Sequence, residues 1–152
     1  MTTGPGTTTA PLLNGRIIGI TYHAIAAVRD ELLASRGLTF HQSVALKAVA
    51  DGLDRAAVVE HVTSTLKVDA SRAHALLDEL VTCGLLTGVR PALTDRGEGL
   101  HRGFTDAVAG LTERLYGDLP AAEREIAARA LAHVTARANA ELAALAGPSA
   151  RA

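Results

Sequence analysis

The chain has 152 residues and a formal net charge of −1, is rich in Ala, Leu and Val, and contains one cysteine and no tryptophan. That length suits one domain burying roughly two-thirds of its unfolded surface. The composition excludes a disulfide framework, and no run reaches the ~18 apolar residues of a membrane span. With no basic segment ahead of an apolar core at the N-terminus, the expectation is a cytoplasmic protein. Residues 1–11 are rich in Thr, Gly and Pro and read as a disordered tail; Gly147 to Ala152 read as frayed.

The interior reads as mainly helical. A first helix is predicted over Leu12–Ser35, with Ile18, Tyr22, Ile25, Val28 and Leu32 on one apolar stripe, ended by Arg36-Gly37. Thr39-Phe40-His41-Gln42 is a capping-box pattern opening a second helix that stops at Asp51-Gly52. The third spans Arg55–Leu66, with Val58, Val59, Val62 and Leu66 inward. Asp69 is a good N-cap for a fourth helix over Ala70–Cys83, which buries Ala73, Leu76, Leu77 and Leu80 and exposes Ser71, Arg72, His74 and Ala75. Two extended pieces follow, Leu85-Leu86-Thr87 and Ala92-Leu93-Thr94, joined by a tight Gly88–Pro91 turn. A fifth helix runs over Asp95–Tyr116 with Leu100, Phe104, Val108, Leu111 and Leu115 on one stripe. A sixth runs over Pro120–Leu145 with Ile126, Ala130, Val134, Ala138, Leu142 and Leu145 on another.

Helix, clipped hairpin, helix is the core of a winged helix-turn-helix. The predicted fold class is therefore mainly α: a winged helix-turn-helix over 37–95, with long flanking helices over 12–36 and 96–146 and a very short β-wing. The flanking stripes are wider than a small central core needs. They bury one another across a two-fold axis in a homodimer, or cover themselves in a monomeric bundle.

Several pieces resemble the MarR family of bacterial regulators over about residues 12–145. Leu38-Thr39-x-x-Gln42 is similar to that family's second-helix start. Val68-Asp69-x-Ser71 through Leu76-x-Asp78-x-Leu80 and Gly84-Leu85-Leu86 is similar to its recognition helix and exit. Leu93-Thr94-Asp95-Arg96-Gly97 resembles its wing-to-helix junction. The resemblance implies a homodimer joined through its first and last helices, binding pseudo-palindromic double-stranded DNA. Such regulators commonly repress, and release DNA when a small aromatic or phenolic effector binds between the two regions. The chain departs from that pattern in its wing. Only six residues separate Leu86 from Leu93, Arg90 is the sole base among them, and no Asp-x-Arg is present. The fourth helix also carries Ala70, Ala73 and Ala75 where further polar contacts are usual.

On this reading Ser71, Arg72 and His74, at the start of the fourth helix, meet base edges in the major groove. Thr63, Ser64 and Thr65 offer hydroxyls to phosphates, and Arg90 and Arg96 add cations; each can equally be ordinary solvated surface. Between 54 and 96, five basic residues face six acidic ones, so DNA affinity must come from local placement. Tyr22, His23, Arg29 and His41 are the candidate ligand-binding residues on the implied effector pocket, with a core Tyr and solvated polar groups as the alternative. The six histidines show no H-x-x-x-H spacing, so no metal site and no cofactor are expected. Cys83, late in a helix, is a poor candidate for a reactive thiolate. Without a phosphate loop, Gly-x-Ser-x-Gly or H-E-x-x-H, no catalytic residue is assigned and the chain does not read as an enzyme. A second reading remains: a regulator-like fold that binds a small molecule or a protein and has weak or lost sequence-specific DNA binding.

Overall fold

The computed structural model describes residues 10–147, so nearly all of the expected tail at 1–11 and of the frayed end at 147–152 lies outside the described residues. Six helices follow in order: α1 (Gly15–Ala34), α2 (Phe40–Ala50), α3 (Arg55–Leu66), α4 (Ala70–Thr82), α5 (Asp95–Tyr116) and α6 (Ala121–Ala146). No helix among the described residues is long and apolar enough to cross a membrane. The chain divides into two compact units, Met1–Ala107 and Val108–Ala152.

In the first unit, side-chain caps set where each helix begins. Asn14 accepts from the Ile17 amide, so α1 starts at Gly15 and leaves Leu12 and Leu13 outside and exposed, later than periodicity alone predicts. The predicted capping box of α2 is present: the Gln42 amide donates to Thr39 Oγ1 at 3.2 Å, and the Thr39 amide donates to Gln42 Oε1 at 3.1 Å. Asp54 and Asp69 cap α3 and α4. Gly37, Gly52 and Gly84 adopt positive φ and close α1, α2 and α4 with backbone hydrogen bonds from the following leucines. Helix α4 therefore ends at Thr82, and Cys83 is its C-cap rather than its last residue.

Helices α2, α3 and α4 pack around one core. Leu46, Val58, Val62, Leu76, Leu77 and Leu80 are fully buried there, with Leu33 of α1 and Leu85 and Leu86 beyond α4. Leu100 and Phe104 of α5 pack partly buried against it. The predicted stripe of α1 is covered in part: Ile18, Ile25 and Leu32 are half-buried. Ala26 and Leu33 are the buried residues of this helix, while Tyr22 and Val28 face solvent. Of these, only Leu33 belongs to the core around α2, α3 and α4.

The wing is smaller than its two predicted extended pieces. It consists of one antiparallel bridge, Leu86 to Leu93, flanked by Thr87 N–H donating to Ala92 O at 2.9 Å and Thr94 N–H donating to Leu85 O at 3.1 Å. Pro91 has no N–H to offer a longer ladder. Val89, at the tip, is 96% exposed.

The second unit contains the last part of α5 and all of α6. Pro120 precedes α6 as its N-cap rather than sitting in its first turn. None of the 26 residues of α6 is buried.

Candidate nucleic-acid interface and adjoining cavity

The turn between α3 and α4 is only Lys67, Val68 and Asp69. So short a connection needs one left-handed residue, and with no glycine available Lys67 takes it, at φ 56° and ψ 37°. A lysine there costs about 1–2 kcal/mol. Among the described residues Lys67 is the one non-glycine residue with positive φ; it is exposed and forms no ion pair. Sequence reading did not single out this residue, although two abutting helices without a glycine between them signal it. Lys67→Gly should raise stability by about 1 kcal/mol in thermal denaturation. If Lys67 meets a phosphate, the same change lowers DNA affinity and flattens the log affinity–log salt slope by about 0.9.

The buried face of α4 (Ala73, Leu76, Leu77, Leu80) turns Ser71, Arg72 and His74 outward, while Ala75 is half-buried. The Asp69 carboxylate takes the Arg72 amide at 2.8 Å and fixes the helix start. Most nearby cations are engaged. Arg72 Nη1 lies 2.7 Å from Glu79 Oε1, and Arg55 Nη2 lies 2.9 Å from Asp78 Oδ1. Arg96 Nη1 donates to the Cys83 carbonyl at 2.9 Å, on the C-terminal end of α4. Arg90 is exposed and makes no ion pair among the described residues. The Thr63 and Ser64 hydroxyls donate back to Glu60 and His61 carbonyls, whereas Thr65 is exposed. The Arg72 guanidinium, and after it the Gln42 amide, hold the Glu79 carboxyl below the ordinary carboxylate range. Glu79 and Gln42 are the partners that sequence reading missed, because Gln42 and Glu79 are 37 positions apart.

Beside the start of α2 lies an open cavity of about 550 Å³, lined by Tyr22, Arg29, Phe40, His41 and Arg72 among others. That volume suits a small molecule. Three of the four predicted ligand residues border it. His23 does not; its ring stands edge-on to Tyr22 at 5.4 Å. The Arg29 guanidinium lies 3.6 Å from the Phe40 ring centroid and is paired with Asp30, so the cavity wall combines a fixed cation with an aromatic face.

No known family model matches the sequence, and no curated protein is recognisably similar. Solved structures are. A MarR-family transcriptional regulator from Rhodococcus sp. RHA1 is 18% identical, with 79% of this chain and 90% of that one aligned at a TM-score of 0.65. S. aureus MepR, in complex with DNA, is 17% identical, with coverages of 84% and 98% and a TM-score of 0.68. The chain has the MarR fold. A third structure with this fold is BpsR from Bordetella bronchiseptica, whose DNA binding is regulated by 6-hydroxynicotinic acid. It is 21% identical, covers 86% of this chain and 99% of its own, and has a TM-score of 0.65. In the MarR frame, α3 and α4 are the helix-turn-helix and the Leu86–Leu93 bridge is the wing.

Proposed function

We propose that the protein is a MarR-type DNA-binding transcriptional regulator. It acts as a homodimer on a pseudo-palindromic operator and represses until a small effector binds. The observation that carries this is the likeness to MepR, solved on DNA, over 84% of the chain. The exposed start of α4 supports it. Ser71, Arg72 and His74 enter the major groove in this reading, and Lys67 and Arg90 meet phosphates. Exposed apolar residues such as Ile20 and Val28 on α1, and Ile126 and Leu142 on α6, are what a second copy would cover. The effector is a small aromatic acid or phenol seated in the cavity that Tyr22, Arg29 and His41 border. Binding changes the spacing of the two recognition helices, which must match one turn of DNA, about 34 Å.

Fluorescence anisotropy against the protein's own upstream intergenic duplex, with a scrambled duplex as control across a salt series, tests the reading. Specific binding that weakens linearly in log–log salt is expected, and Arg72→Ala should lower it about tenfold or more while leaving the dimer intact. Equal weak binding to both duplexes, or none, refutes it. That result would favour the second reading, a ligand- or protein-binding module, which the one-bridge wing and the engagement of Arg72 by Glu79 support.

A further inference from the structure

Arg72 is the third residue of α4, close to the end that reads bases, yet its guanidinium points the other way. Its partner, Glu79, lies seven residues on, about 10 Å further along the helix axis. The carboxylate is itself held in place. Its other oxygen accepts from Gln42 Nε2 at 3.2 Å, and Gln42 is fixed by the capping box at the start of α2. The drawn-back guanidinium also borders the cavity beside Thr39, Phe40 and His41. A carboxylate on a guanidinium makes the same charge-assisted hydrogen bonds as a phosphate or a guanine edge.

Resting on the DNA-binding reading above, we propose that Glu79 is an internal competitor for the DNA-contacting arginine: with Gln42 it holds Arg72 back along α4, and DNA engages Arg72 only after this ion pair opens. Both side chains are partly exposed, 44% for Arg72 and 39% for Glu79, so the pair is a weak restraint that DNA can break. It lowers affinity and thereby favours operators offering Arg72 a strong acceptor. Two other roles are open to such a carboxylate. It could buttress Arg72 in its base-reading pose, or it could weaken DNA binding merely by its charge.

The test is a double-mutant cycle read by anisotropy on the upstream duplex and its scrambled control. The proteins are wild type, Glu79→Gln, Arg72→Ala and the double variant. Glu79→Gln should tighten specific binding about threefold to fivefold, the factor an exposed ion pair can be worth, and steepen the log–log salt slope by about 0.9 if the freed cation meets a phosphate. In the Arg72→Ala background the same change should move affinity less than twofold. Glu79→Ala should act in the same direction, and thermal melts of each variant check folding. Equal tightening in both backgrounds shows a general charge effect and overturns the proposal, as does weaker binding by Glu79→Gln, the buttress result. Wild-type binding that Glu79→Gln leaves unchanged overturns the proposal alone and leaves the regulator reading standing. If neither protein binds either duplex, both fall.

Discussion

Gly97→Ala is expected to cost about 3 kcal/mol and to lower the melting temperature by roughly 10 °C. A methyl group on Gly97 would collide with the Leu85 carbonyl oxygen, and it would lie 3.0 Å from the carbonyl carbon and 3.3 Å from Cα. These are backbone atoms and cannot rotate aside. The same carbonyl accepts the Thr94 amide, and Leu85 is buried at the end of the core. Thr94 Oγ1 donates to the Gly84 carbonyl at 2.7 Å and accepts from the Gly97 amide at 3.1 Å. The exit of α4, the wing and the start of α5 are thus one hydrogen-bonded knot, tied at the position where only hydrogen fits. DNA binding should fall with stability, because the knot also sets the wing. Gly99→Ala is the control. Nothing lies within 4 Å of its added carbon, so this change should stabilise α5 by up to about 1 kcal/mol. Similar melting temperatures for the two variants would show that the junction is looser than described.

The second large effect is expected on α6. Val134→Glu combined with Leu142→Glu should convert a dimer to a monomer of 15.7 kDa in analytical ultracentrifugation. Glutamate is a good helix former, so α6 itself should persist. What changes is its apolar face, where Ile126 is 58% exposed, Leu142 52% and Leu145 84%. Carboxylates placed there would lose their water if a second copy covered them, a cost of several kcal/mol per ion. Losing bivalent attachment should then weaken binding to a two-half-site duplex by about 10²–10⁴, with little change on a single half-site. A wild-type protein that is monomeric at micromolar concentration would refute the homodimer, and a double variant that stays dimeric would refute α6 as its interface.

The parts of the fold legible from the sequence are those set by neighbouring residues. The bounds of α3 and α5, the Thr39–Gln42 capping box and the inward face of α4 match, because caps and helical periodicity act within a few residues. Leu86 and Leu93 pair as the extended pieces suggested, but in a single bridge. Periodicity named the apolar stripe of α1 without saying what covers it: Tyr22 and Val28 are exposed in the single chain. At the candidate site the sequence offers residue types but not their partners. Arg72 stands out by its place in α4, but Glu79 is only one of six acidic residues between 54 and 96. Only folding brings Gln42 of α2 against it.

Cys83 is the one cysteine of the chain, exposed and seated on the C-cap of α4. The protein therefore carries a single native attachment point for a maleimide spin label, with no competing thiol to remove. Arg96 anchors the Cys83 carbonyl, so the label would ride on a fixed backbone. In a two-copy assembly this places one label at the end of each α4 and yields one distance by pulsed electron paramagnetic resonance. Ligand-induced motion could then be followed as a change in that single number, free in solution and on DNA.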